Sequence, residues 1–262
     1  MSEPLATGPA PTFKLVVCAA PIEDAGHRIA ACLRGLARDR GAAELRLAIP
    51  GGSALAAVVR AAAELGELWR RVALTWVDER CVPVADAASN RGEALRAGLL
   101  GAAGDTIADG SGRDAGALRA LDRRPARVIP LFEDGETPEA AVARASRCYA
   151  DQLAGGLDVA VLGLGADGHV ASLFPDRPTP PPGDVAFVPD APKAPPRRIT
   201  LTRPALATAR HTLLVATGEE KRGALERLRA GDPRLAATGL PGLVVVTDLV
   251  FPDGPAPEWA RR

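Results

Sequence analysis

A chain of 262 residues, 47% of them hydrophobic, is long and apolar enough to bury a core in one large domain or two small ones. Thirty-two basic residues offset thirty-two acidic ones, and no charge block is long enough to favour a nucleic-acid or membrane surface. The four cysteines, Cys18, Cys32, Cys81 and Cys148, are dispersed without a CxxC pair, which argues against a zinc site and for reduced cytosolic thiols.

Residues 1–12 are rich in Pro, Gly and Ala and read as a frayed tail without a signal core. No apolar run reaches membrane-spanning length, so a cytoplasmic location is expected. From there, short apolar runs alternate with amphipathic stretches. Lys14–Cys18 is a predicted strand and Asp24–Arg38 a helix. Leu45–Ile49 is the next strand, Ser53–Leu65 the next helix, and Val72–Val77 a third strand, with a helix over Asn90–Leu99. Beyond a loose Gly/Asp-rich stretch come strand Val128–Leu131, helix Pro138–Leu153 and a central strand, Leu157–Leu162. Many prolines make residues 175–197 an extended surface excursion. Strands follow at Ile199–Thr202, Thr212–Ala216 and Leu243–Thr247, with Glu219–Arg229 helical between the last two, and residues 256–262 form a C-terminal tail. Strand–helix alternation predicts an α/β fold, Rossmann-like, with a mostly parallel sheet and helices on both faces. With no repeat and no linker between two cores, residues 13–255 read as a single domain.

The segment after the central strand carries the strongest chemical signal. Gly163-Leu164-Gly165-Ala166-Asp167-Gly168-His169 places a glycine-rich turn, an acid and a histidine where open α/β sheets put their active crevices. His169 is one of three histidines, and imidazole suits proton transfer near neutrality. His27 and His211 have no comparable setting.

Other clusters lie beside strand ends. Gly51-Gly52-Ser53 follows a strand and precedes a helix; taken alone it reads first as a tight connection, and its amides also suit an anion such as phosphate. It is no Walker A loop, and no GxGxxG with a downstream ribose acid is present. At Trp76-Val77-Asp78-Glu79-Arg80, Asp78 is a candidate for a polyol hydroxyl and Arg80 for an anion, whereas Glu79 is expected in an exposed ion-pair cluster. Ser89-Asn90 begins a helix, as a cap or as a substrate contact. Arg198 enters one strand and Lys221 follows another; each alone is an ordinary surface charge, and with Gly51, Gly52 and Ser53 they would make a phosphate cradle. Ser172 lacks a GxSxG elbow, and no metal-ligand spacing is present.

In this order, Gly51-Gly52-Ser53, Trp76–Arg80, Ser89-Asn90, the block Gly165–Pro175 with its Asp-Gly-His-x-Ala-Ser-Leu-Phe-Pro run, Arg198–Thr202 and Lys221 resemble the 6-phosphogluconolactonase family over about residues 14–250. The resemblance implies cytosolic, cofactor-free hydrolysis of 6-phosphoglucono-1,5-lactone in the oxidative pentose phosphate pathway. It also implies a fold shared with glucosamine-6-phosphate deaminases and related sugar-phosphate isomerases. His169 and Asp167 would then be catalytic, with Gly51, Gly52, Ser53, Asp78, Arg80, Asn90, Arg198 and Lys221 holding the substrate. No metal is expected, and no partner beyond the sugar-phosphate lactone and a monomer or weak homo-oligomer. The family usually continues Gly-Gly-Ser with Thr-Pro, where this chain has Ala54-Leu55, so a side-chain phosphate contact at position 54 is lost. Deaminases carry a carboxylate where this chain has Phe174, which cannot accept a proton. A non-catalytic sugar-phosphate sensor is the other competitor, disfavoured because the short N-terminal tail has no room for a helix-turn-helix.

Overall fold

The computed structural model describes residues 13–101, 124–153 and 156–252. The two tails and the Gly/Asp-rich stretch around 102–123 lie outside the described residues. Apolar runs at Lys14–Val17 (β1), Leu45–Ile49 (β2), Val72–Trp76 (β3), Arg127–Ile129 (β5), Val159–Gly163 (β6), His211–Ala216 (β9) and Leu243–Thr247 (β10) form one seven-stranded sheet. Its order is β1-β10-β9-β6-β2-β3-β5, every pair parallel. Such a sheet needs cover, and its central strands are accordingly apolar along nearly their whole length.

Helix α1 (Pro21–Asp39) starts earlier than expected, because Pro21 can occupy a first-turn position where no amide donor is needed. It buries Ala25, Ile29 and Leu33 at helical spacing. Small residues set its approach to α2 (Leu55–Leu65): a Cβ at Gly26 would lie 2.7 Å from Arg60 Cβ and 3.1 Å from the Ala57 carbonyl.

Strand order creates the crevice. After β2 the chain moves outward through β3 to β5; after β6 it moves the other way through β9 to β10. β2 and β6 are neighbours, paired at Leu47 with Val159 and Ala48 with Ala160. Their following loops, Gly51-Gly52-Ser53 and Gly163–His169, therefore leave the sheet side by side and diverge, as at a topological switch point. A Cβ built on Gly163 would sit 3.5 Å from Ala54 Cβ, which puts the two loops in contact.

A second sheet departs from the sequence expectation. The third strand ends at Trp76, and the chain re-enters β structure as β4 (Asp78–Arg80). Arg198–Leu201 (β8), expected among the parallel strands, instead lies antiparallel between β4 and β7 (Val185–Val188). β7 is a strand within the proline-rich excursion. Alternation alone does not say which sheet a short strand joins, and the β4–β8 pairing spans more than a hundred residues. A short helix, α5 (Arg203–Ala207), was also not expected, although Thr202 caps it and a proline opens it. The remaining helices are α3 (Asn90–Arg96), α4 (Pro138–Gln152) and α6 (Arg222–Arg229). Two helix starts are tighter than expected: Gly52–Ala54 and Glu219–Lys221 are 3₁₀ turns leading into α2 and α6.

Candidate active site

The loop after β6 is folded around its histidine. Gly165 donates its amide to the His169 carbonyl at 2.8 Å, and Gly168 donates to the Gly165 carbonyl at 2.9 Å. A Cβ at Gly165 would collide with His169 Nδ1 and Asp167 Oδ1, so only glycine lets the ring and the acid meet there. His169 Nδ1 lies 2.5 Å from Asp167 Oδ1. Burial raises the Asp167 carboxyl, but the His169 hydrogen bond and charge, helped by Lys193, outweigh it and hold Asp167 below the ordinary aspartate range. An ionised Asp167 accepts from Nδ1–H, which assigns the proton to that nitrogen and leaves the Nε2 lone pair available. The imidazole is 17% exposed, enough to be reached and too little to swing freely. From outside the loop, Arg227 Nη1 donates to the Asp167 carbonyl at 2.9 Å and anchors it.

The ring packs on Phe174 with centroids 4.7 Å apart and planes 37° apart. Against Phe174 also lies the Arg198 guanidinium, 5.8 Å from the ring centre. Arg198 is buried and spends two donors on backbone: Nε on the Pro195 carbonyl at 3.0 Å and Nη2 on the Lys193 carbonyl at 2.9 Å. Its Nη1 lies 3.8 Å from Asp78 Oδ2. Burial lowers its pKa, and Arg80 adds to that against the pull of Asp78. The proline-rich excursion thus borders the site through the Lys193–Pro195 carbonyls.

Arg80 and Arg198 are directly opposed in the antiparallel β4–β8 pair. Like charges in that position repel unless an anion lies near both. Arg80 donates Nη1 to the Ala88 carbonyl at 2.7 Å, while its buried Nε has no hydrogen-bond partner among the described residues. Asp78 is buried and acts as the hub on the other side. Its Oδ2 accepts from Ser172 Oγ at 2.7 Å, and Asn90 Nδ2 donates to its carbonyl at 2.7 Å and to Oδ1 at 3.3 Å. Ser172 thereby ties the histidine loop to β4, a contact across 94 residues without a local sequence signal. Asn90 is fully buried, and a Cβ at Gly51 would collide with its Oδ1, so Gly51 is seated on the start of α3.

A line of direct contacts runs from Gly51 through Asn90, Asp78, Arg198 and Phe174 to His169 and Asp167. Gly52 and Ser53 are exposed beside it. Lys221 lies in the turn after β9, the strand next to β6, with Glu220 Oε1 3.7 Å from its Nζ.

Glu79 overturns its expectation as an exposed ion-pair residue: it is 2% exposed. Its carboxylate accepts from the amides of Arg80 at 2.8 Å, Asn90 at 2.7 Å and Arg91 at 2.6 Å. It therefore satisfies the free amides at the start of α3, a role that spacing along the chain does not reveal. Burial pushes its pKa up to about 7, against the three amides that pull it down. Between about pH 4.3 and pH 7 the folded protein keeps a proton here that the unfolded chain has released. The stability from this group is thus full below about pH 4.3 and lost as pH rises through about 7. Glu79→Gln should remove that decline, at most about 4 kcal/mol, from urea-denaturation curves collected across the window. Equal slopes in both proteins would contradict this account of Glu79.

All four cysteines are free thiols, and burial raises Cys81 to about 11, which makes it a poor nucleophile. Among the described residues no group of three or more His, Cys, Asp or Glu side chains is disposed to hold a metal, and no helix is long and apolar enough to cross a membrane.

The chain as a whole is similar to known proteins. A 6-phosphogluconolactonase of Neisseria meningitidis serogroup A is 33% identical over 217 residues, spanning 79% of this chain and 82% of its own. The solved 6-phosphogluconolactonase of Thermotoga maritima superposes with a TM-score of 0.68 at 20% identity, covering 90% of this chain and 99% of that one. A monomeric glucosamine-6-phosphate deaminase superposes with the same TM-score, 0.68, at 16% identity, covering 90% of this chain and 97% of that one. The two structures show the same fold and do not choose between the chemistries. Residues 19–246 match the family of glucosamine-6-phosphate isomerases/6-phosphogluconolactonase, and with the N. meningitidis relative this shows that the chain belongs to that family.

Proposed function

We propose that this chain is a 6-phosphogluconolactonase, which hydrolyses 6-phosphoglucono-1,5-lactone to 6-phosphogluconate in the cytosolic oxidative pentose phosphate pathway. The observation that carries the choice is the neighbour of His169: the phenyl ring of Phe174, 4.7 Å away, occupies the place where a deaminase would need a carboxylate. A histidine whose tautomer is fixed by Asp167 and whose ring packs on Phe174 is equipped to activate water. It is not equipped to open an amino sugar with a second proton donor.

In this reading, His169 Nε2 takes a proton from water as the water oxygen attacks the lactone carbonyl. The tetrahedral intermediate collapses by breaking the bond to the ring oxygen, and protonated His169 returns its proton to that oxygen. Asp167 keeps Nδ1 protonated and steadies the imidazolium while it exists. No oxidation state changes, so no electron carrier takes part. Such assistance contributes about 10²–10⁴-fold. Gly51, Gly52, Ser53, Arg80, Arg198 and Lys221 hold the phosphate, and Asn90 and Asp78 place the wall on which the sugar lies. The opposed Arg80–Arg198 pair supports this cradle, since a dianion relieves its repulsion. Remote phosphate binding fixes the carbonyl relative to the imidazole, and orientation of that kind lowers the barrier substantially.

Freshly prepared lactone, followed by proton release after subtraction of its spontaneous opening, tests the activity; glucosamine 6-phosphate, followed by ammonia, tests the competitor. Acceleration of the first without the second is expected. Ammonia release, or no acceleration, would overturn the reading. Arg80→Ala and Lys221→Ala should each raise KM for the lactone about tenfold or more with a smaller change in kcat, as expected when a charge-assisted contact worth about 1.5–3 kcal/mol is lost. Unchanged KM in both would remove the cradle.

A further inference from the structure

The Gly51-Gly52-Ser53 turn already holds a carboxylate of the chain itself. Glu93, in the first turn of α3, reaches across to accept the Gly52 amide through Oε2 at 2.8 Å. That amide belongs to the turn assigned above to the substrate phosphate. The geometry suits exchange of one anion for another. Gly52 has φ +68 and is exposed, and among the described residues beyond its chain neighbours no heavy atom lies within 4 Å of where its Cβ would be, so the turn is open to a ligand. Glu93 is itself only partly buried, so its side chain can move into water when displaced. Its backbone is held in place: Ser89 Oγ caps α3 through the Gly92 amide at 2.9 Å, and Glu79 holds the Asn90 and Arg91 amides.

We propose that Glu93 is a specificity-determining residue that stands in for a phosphate oxygen in the free enzyme and limits affinity for phosphorylated ligands. The inference rests on the anion-site reading of Gly51-Gly52-Ser53. Binding of a phosphorylated sugar requires the Gly52 N–H to leave Glu93, and the displaced carboxylate still repels the phosphate at short range. At about 4 Å that repulsion is about 1 kcal/mol per unit charge even in water, a factor of about five in affinity. The benefit is release: 6-phosphogluconate carries the same phosphate as the lactone plus a new carboxylate, and a site built only of cations would retain it. Glu93 returns to the amide as product departs.

Two variants separate charge from shape. Glu93→Gln keeps an oxygen that can accept from the Gly52 amide and loses the charge; Glu93→Ala loses both. The probe is 6-phosphogluconate, measured as a competitive inhibitor of lactone hydrolysis and by calorimetry, with Arg80→Ala in parallel. Both Glu93 variants should bind it at least about fivefold more tightly than wild type. Inhibition that Arg80→Ala weakens but neither Glu93 variant strengthens would overturn the role of Glu93 and leave the cradle standing. If 6-phosphogluconate does not compete in the wild-type enzyme at all, the anion-site reading and this inference fall together.

Discussion

Replacing His169 by alanine should lower kcat by about 10²–10⁴-fold and leave affinity for 6-phosphogluconate essentially unchanged. The separation follows from position. His169 touches Asp167 and Phe174, whereas the phosphate cradle is built from β2, β4, β8 and the turn after β9. Loss of the ring removes the base and does not remove a cation. Asp167→Asn should fall between wild type and His169→Ala, because a neutral amide no longer fixes which ring nitrogen carries the proton. A pH-stat assay with the spontaneous rate subtracted reads both. Near-wild-type turnover in His169→Ala would take the imidazole out of the mechanism.

The second large effect concerns stability at the opposite end of the sheet. Asp158 precedes β6 and is fully buried. It accepts from Arg40 Nη1 at 2.9 Å and from the Arg46 amide at 2.8 Å, and Arg40 Nη2 lies 2.7 Å from its Oδ1 as an ion pair. Arg46 Nη2 at 3.4 Å and Arg210 Nε at 3.8 Å complete the cluster. One carboxylate thus gathers α1's C-terminal neighbour, β2, β6 and the approach to β9. Asp158→Asn preserves the shape and leaves three guanidiniums facing a neutral amide. Breaking a buried pair in this way costs about 3–5 kcal/mol, and because the arginines still reach solvent the lower value, about 3 kcal/mol, is expected. Urea denaturation should show the midpoint falling at unchanged slope, with kcat retained wherever the variant is folded. A loss below about 1 kcal/mol would mean that solvent compensates the arginines.

Much of the parallel sheet was legible because its strands are buried on both sides and read as uninterrupted apolar runs. Leu45–Ile49 and Leu243–Thr247 have the same limits in sequence and structure. The histidine loop was legible because Asp167 and His169 are two residues apart and their contact is local. The small antiparallel sheet was not: β4 has three residues, and its partner β8 lies about 120 positions on, chosen by tertiary packing rather than by pattern. For the same reason the burial of Glu79 has no signature in the sequence. Its three amide partners belong to itself plus one and to a helix start eleven residues later, and nothing in Asp78-Glu79-Arg80 says which carboxylate turns inward. The Asp78–Ser172, Gly52–Glu93 and Arg40–Asp158 contacts share this character. Each joins polar residues that look like ordinary surface groups until the fold brings them together.

A crystal structure of the protein with 6-phosphogluconate bound tests the central claim most directly. Expected are the phosphate against the Gly51-Gly52-Ser53 amides with Arg80, Arg198 and Lys221 around it, Glu93 withdrawn from Gly52, and C1 of the product facing the His169 ring. A ligand whose phosphate lies away from the opposed arginines, or whose C1 end points away from the imidazole, would contradict it.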